Sequence, residues 1–193
     1  GLGGNVKMDL VKDYEAADTR KDFSIRFASS PQVNDWFITK YRDNSAAAGS
    51  QGWGGNDFIL IRYADVMLLL AETKMHLGKD AEAIALLDEV RERARLPSYA
   101  ISSADANYNS KYPTLKDAIL HERRVELAFE NHRWYDLIRN YNAEELVTYF
   151  RSKSQTDYGN AQISNISTKD RYYPIPFDEY QLDPTRMYQN SGY

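Results

Sequence analysis

The sequence predicts a mainly α-helical fold, with irregular extended loops and few short strands. Three observations predict it. Apolar residues recur at helical spacing from Ile61 to Val90. Gly78 and Pro97 fall where helices end. Before Asp57 no apolar period is sustained, and turn-forming residues cut the chain into short pieces.

Taken in order, residues 1–57 read as an irregular, aromatic-rich segment packed on something else. Gly1 to Gly4, Ser29-Ser30-Pro31 and Gly49 to Asp57 are its turn signals, and Phe23–Ala28 and Trp36–Tyr41 its strand-like pieces. Residues 58–193 read as one helical unit. Ile61, Ala64, Met67, Leu68 and Ala71, with Leu77 beyond, mark the inner face of a first helix that Gly78 ends. Asp80 is expected to cap a second helix, faced by Ala83, Ile84, Leu87, Val90 and Ala94. Arg91, Arg93 and Arg95 gather at its C-terminal end, where the helix dipole favours cations. Residues 98–113 read as a polar loop. Thr114 and Asp117 form an imperfect capping box for a third helix, with Leu115, Ile119, Leu120, Leu127 and Phe129 on its apolar side and a polar break at Asn131-His132. Trp134, Leu137 and Ile138 mark a shorter helix, and residues 143–150 another. Residues 151–171 read as polar and mobile, and three prolines keep the tail from Tyr172 extended.

Composition narrows the function. The 193 residues carry 24 basic and 28 acidic side chains, a net charge of −4. That argues against nucleic-acid binding, which usually needs a basic stripe. The longest apolar run, Val66 to Ala71, is far short of a membrane span. There is no cysteine, which excludes disulfides, thiol catalysis and cysteine-ligated metal. The first residues lack the basic start and apolar stretch of a signal peptide. Fifteen tyrosines dominate the aromatics, and a flat apolar ring with a polar tip suits wet recognition surfaces.

The pair from Met67 to Pro97 has tetratricopeptide spacing, with small Ala71 and Ala83 where two backbones approach. Lys74, where that repeat has an aromatic, and a late Pro97 depart from it. One such repeat cannot bury its face alone, so partner helices are expected.

Three separated strings then point to a known family. They are Ile61-Arg62-Tyr63-Ala64-Asp65-Val66-Met67-Leu68-Leu69-Leu70-Ala71-Glu72, then His121 to Glu130 running on through His132-Arg133-Trp134-Tyr135-Asp136-Leu137, then Tyr173-Pro174-Ile175-Pro176 with Asn190-Ser191-Gly192-Tyr193. In this order they resemble signatures of the SusD/RagB family of nutrient-binding outer-membrane lipoproteins. Serine at 191, where the family often has proline, is a minor departure. The resemblance implies a SusD-like fold and the C-terminal half of a longer, lipid-anchored protein. It also implies surface binding of a nutrient, an oligosaccharide or polysaccharide, and delivery without catalysis to a SusC-like TonB-dependent transporter. No cofactor is implied. The alternatives are a helical partner-binding scaffold with no ligand site in this chain, and a glycan-active enzyme.

His121-Glu122-Arg123-Arg124-Val125 lacks the second histidine of a zinc helix, since Val occupies position 125. Arg62, Glu122, Arg123, Glu126, Arg133 and Asp136 are instead expected to form a buried or half-buried polar network, because unpaired buried charge is expensive. No spacing singles out a carboxylate pair for glycoside hydrolysis, and no Gly-x-Ser-x-Gly elbow is present. The glycine-rich stretch Gly49–Gly55 lacks the Lys and Ser/Thr of a phosphate loop. Sugars present apolar C–H faces for stacking and polar rims for hydrogen bonds. Trp53, flanked by four glycines, is the leading ligand candidate, with Trp36, Tyr41 and Arg42 behind it. The opposing reading folds Trp53 back on the helical core, and Trp134 and Tyr135 are read as packing residues.

Overall fold

We describe a computed structural model, which covers residues 6–51, 54–158 and 161–193. Trp53 lies outside the described residues. The chain forms two compact units, Gly1–Arg133 and Trp134–Tyr193.

The first unit opens with two short helices, α1 (Met8–Val11) and α2 (Arg20–Ser24). A two-stranded antiparallel sheet follows, β1 (Ile25–Ser30) and β2 (Val33–Ile38), in the register Ile25↔Ile38, Phe27↔Trp36 and Ser30↔Val33. The strands fall close to the pieces expected from sequence. A lone hairpin is marginal in water. This one rests on an apolar cluster of Val6, Val11, Tyr14, Ile25 and Val125, so α1 and the later Leu115–Glu126 helix hold it. Helix α3 (Ala46–Gln51) comes next.

The expected helical pair is present as α4 (Tyr63–His76) and α5 (Asp80–Arg93). Ala71 and Ala83 are fully buried in one cluster with Met67, Leu68, Leu87 and Val90. Gly78, at φ 70°, closes α4. Its amide donates to the Met75 carbonyl and that of Lys79 to the Lys74 carbonyl, the paired bonds of a Schellman stop. Arg95 repeats the device after α5 at φ 62°, with Arg95 donating to Glu92 and Leu96 to Arg91.

Several local expectations are corrected. Ile61 is 72% exposed and lies before the helix, because Arg62 sits extended at the N-cap (φ −140°, ψ 162°), tied by ion pairs. Leu77, the α4 C-cap, is exposed too. Lys79 rather than Asp80 occupies the N-cap of α5, and Asp80 is a first-turn acid. The supposed loop 98–113 holds α6 (Tyr99–Ala104) and α7 (Ala106–Lys111), the latter capped by Asp105, whose carboxylate accepts from the Asn107 and Tyr108 amides. Helices of six residues are too short to show a period, yet Tyr108 and Ser102 are buried.

Helix α8 (Leu115–Glu126) starts at the expected box: Thr114 accepts from the Asp117 amide at 3.1 Å while Asp117 accepts from the Thr114 amide at 3.2 Å. It stops earlier than the polar break, and Phe129 and Asn131 take positive φ beyond it. Eight of its residues are buried, including His121, Glu122, Arg123 and Glu126, so a strongly charged helix forms the centre of the unit.

Helix α9 (Arg133–Asn140) opens at the last residue of the first unit, and in the second unit it leads into α10 (Ala143–Arg151), whose Asn142–Glu145 capping box is complete. Helix α11 (Gln155–Tyr158) and 3-10 turns at Ala161–Ser164 and Thr168–Arg171 occupy the stretch expected to be mobile. The tail is interrupted by α12 (Phe177–Leu182), which begins after Pro176. A helix can start after proline because the first amides need no internal partner.

Candidate functional site

The charges of α8 draw in arginines from distant sequence. Glu126 accepts from Arg20 at 2.8 Å, and from Arg62 and Arg93. Arg62 also donates through Nε to Glu130 at 2.7 Å, and Lys40 pairs with Glu130. Arg20 holds Asp18 by two bonds, of 2.8 and 2.7 Å, and reaches Glu122 at 2.6 Å. Arg91, fully buried, donates to Glu122 at 3.0 Å, to Glu15 at 2.9 Å, to Ser102 at 2.7 Å and to the Pro97 carbonyl at 2.9 Å. Burial alone would raise the Glu126 and Glu15 carboxyls. Arg20 and Arg62 reverse that at Glu126, and His121 and Arg91 at Glu15, leaving each at about 2. Burial lowers the Lys40 ammonium against the opposing pull of Glu130.

The expected polar residues are therefore distributed. Arg62, Glu122 and Glu126 share this cluster. Arg123 instead pairs with Asp65 at 2.8 Å, joining α8 to α4. Arg133 donates to the Leu120 carbonyl at 2.9 Å, and in the second unit Asp136 accepts from Arg139 at 2.8 Å. Sequence reading missed Arg20, Lys40, Arg91, Arg93, Glu15, Asp18 and Glu130 as members, since most lie tens of residues from their partners, although Glu130 ends a quoted family string and Arg91 and Arg93 stand in the cationic end of the second helix.

Above this cluster opens a cleft of about 310 Å³. Arg20, Lys40, Arg62 and Arg93 line it, with Glu126 and the Phe23 ring. Nearby, Tyr41 stacks on Phe58 at 5.8 Å and 22°, Asp43 receives the Gly55 amide at 2.7 Å, and Arg42 is exposed. Trp36 has its ring 5.5 Å from Phe27, under the Lys21 ammonium, and packs on the hairpin cluster.

The second unit holds a more open cleft of about 400 Å³. Trp134, Phe150 and Tyr158 supply its rings, and Asn165 and Asp170 its polar side. Phe150 lies 6.4 Å from Trp134 and 6.2 Å from Tyr158, the latter at 80°. Asp170 is held in place: its Oδ2 accepts from the Ser167 amide at 2.7 Å, and its Oδ1 from the Tyr193 hydroxyl at 3.3 Å. The Ser167 amide, more than any other contact, lowers the Asp170 carboxyl, so it faces the cleft ionised. These residues were not singled out as ligand candidates, because Trp134 sits in a helical signature and Phe150, Tyr158 and Asp170 share no motif.

Among the described residues there is no cluster of three or more metal-ligating side chains, and no helix long and apolar enough to cross a membrane. The sequence model of the SusD family, SusD/RagB, matches residues 24–193. The chain belongs to the SusD family. Among its SusD relatives, SusD-like protein P2 of Formosa agariphila is 30% identical, covering 100% of this chain and 41% of that protein. SusD-like protein P38 of the same organism is 38% identical over 62% of the chain and 24% of its own length. Among solved structures, Bacteroides fragilis NanU superposes with TM-score 0.70 at 27% identity, covering 97% of the chain and 39% of NanU. Surface glycan-binding protein A from Bacteroides uniformis superposes with TM-score 0.68 at 25% identity, covering 94% and 39%. The SusD resemblance and the mainly helical SusD-like fold read from sequence are both upheld. The chain spans less than half the length of these relatives.

Proposed function

We propose that this chain belongs to a cell-surface protein that captures glycans by reversible binding, and that the cleft of Trp134, Phe150 and Tyr158 is a stacking platform for them. The observation that carries the reading is the coincidence of three rings with a fixed carboxylate and an amide in one open cleft. Ring faces remove the C–H side of a sugar from water, while Asp170 and Asn165 accept and donate to its hydroxyls. Likeness to a structure named as a surface glycan-binding protein supports it. Among the described lining residues Asp170 is the only carboxylate, whereas glycoside hydrolysis uses a pair. The reading is therefore capture without bond breaking. Membership of the SusD family supports the wider setting: a lipid-anchored outer-membrane protein that hands its ligand to a SusC-like TonB-dependent transporter. Tyr41 on Phe58, with exposed Arg42 beside it, is proposed as a second contact surface.

The test is calorimetry and affinity electrophoresis against a panel of polysaccharides, with wild type and Tyr158→Ala. Losing one stacking ring should weaken binding about three- to tenfold with the melting curve unchanged. Unaltered affinity removes the cleft from the site, and release of new reducing ends overturns the non-catalytic reading.

A further inference from the structure

The cleft in the first unit has a layered charge arrangement that sugar stacking leaves unused. Its carboxylates lie deep: the side chains of Asp18, Glu122, Glu126 and Glu130 are 3% exposed or less. Its cations lie above them, with Arg20, Lys40 and Arg62 between 9% and 21% exposed and Arg93 at 59%. A chain of net charge −4 thus turns a positive lip to solvent here.

Not every cation on that lip is equally committed. Arg20 and Arg62 each use Nε and both terminal nitrogens on buried acceptors. Arg93 meets Glu126 through Nη2, the third guanidinium on a carboxylate that Arg20 and Arg62 already satisfy. An arriving anion that draws on Arg93 therefore leaves no buried charge unpaired. A planar guanidinium matches a carboxylate with two parallel hydrogen bonds. The Phe23 ring on the cleft wall offers an apolar surface beside it, and about 310 Å³ suits a small ligand.

We propose that this cleft is a subsite for the carboxylate of an acidic sugar, a uronic-acid residue of a glycan, with Arg93 as its recognising group. The identity of the ligand rests on the capture of glycans proposed above; the anion site itself does not.

The full chain is titrated calorimetrically with a trigalacturonate, a neutral trisaccharide and a sulfated neutral trisaccharide. Wild type is compared with Arg93→Glu and Arg93→Lys at low and high salt. The expected result is that the uronate binds about tenfold more tightly than the neutral ligand. Arg93→Glu abolishes that preference, Arg93→Lys restores part of it, and salt weakens it. Equal affinity for uronate and neutral ligands, or a preference that survives Arg93→Glu, overturns the proposal. A stronger preference for the sulfated ligand overturns the carboxylate class. If no oligosaccharide binds, the capture reading fails by itself. Free galacturonate is then followed by NMR at the Arg93 guanidinium: a shift absent with galactose supports the anion subsite, and no shift overturns it.

Discussion

Replacing Arg123 with methionine tests whether the charged centre of α8 acts as the joint between helices. Arg123 and Asp65 have side chains 1% and 6% exposed, and their ion pair is 2.8 Å long. Arg123 also donates to the Asp65 carbonyl at 3.3 Å, so one side chain fixes both the N-terminal turn of α4 and its distance from α8. Methionine fills much of the same volume but leaves Asp65 as a buried acid without that cation. Breaking a buried pair from one side typically costs about 3–5 kcal/mol. For a chain of this size that lowers the melting temperature by about 6–20 °C. Urea denaturation and calorimetry measure both quantities. The double variant Arg123→Met with Asp65→Leu removes the orphaned charge and should regain most of the loss, because an apolar replacement of a whole buried pair is often neutral. A single-variant loss below about 1 kcal/mol, or a double variant no more stable than Arg123→Met, would refute the assignment of the pair as a structural joint.

Two further outcomes concern stability. Glu126 and Glu15 are each held at about 2, below their ordinary 4.5. Both therefore contribute stability that is complete above about pH 5 and is lost as pH falls towards 2. For Glu126 alone the loss is on the order of 3 kcal/mol. Denaturation curves from pH 7 to pH 2 should show this decline flattened in Glu126→Gln, and a parallel decline in both proteins would contradict it. Arg95 closes α5 at φ 62°, a conformation that costs any residue with a Cβ. Arg95→Gly should stabilise by about 1 kcal/mol in urea titrations, and a destabilised variant would show that the Arg95 side chain matters more than its backbone.

The α4–α5 pair was legible because its signals are local and mutually consistent. Ala71, Gly78 and Ala83 each say where backbones approach or turn, and the structure places them so. The Thr114 box was legible for the same reason. The short helices at 99–104 and 106–111 were not, because six residues are too few to show a period. The polar network was half legible. Arg62, Glu122 and Glu126 stood out within motifs, but the partners that satisfy them arrive from 31 to 106 residues away. Only folding brings such groups together. Trp134, read from its helical context as a packing residue, packs against Phe150 and Tyr173 and also lines the open cleft, which depends on 3-10 turns that carry no sequence period.

The gathering of Arg20, Arg62 and Arg93 on the single carboxylate of Glu126 has an evolutionary and engineering corollary. Four positions spread over more than a hundred residues answer to one another, so a change at any of them resets what is tolerated at the rest. Substitutions there should combine non-additively, as expected for contacting groups. Anyone transplanting the α4–α5 pair together with Arg62 into another scaffold would have to carry Glu126 along with it.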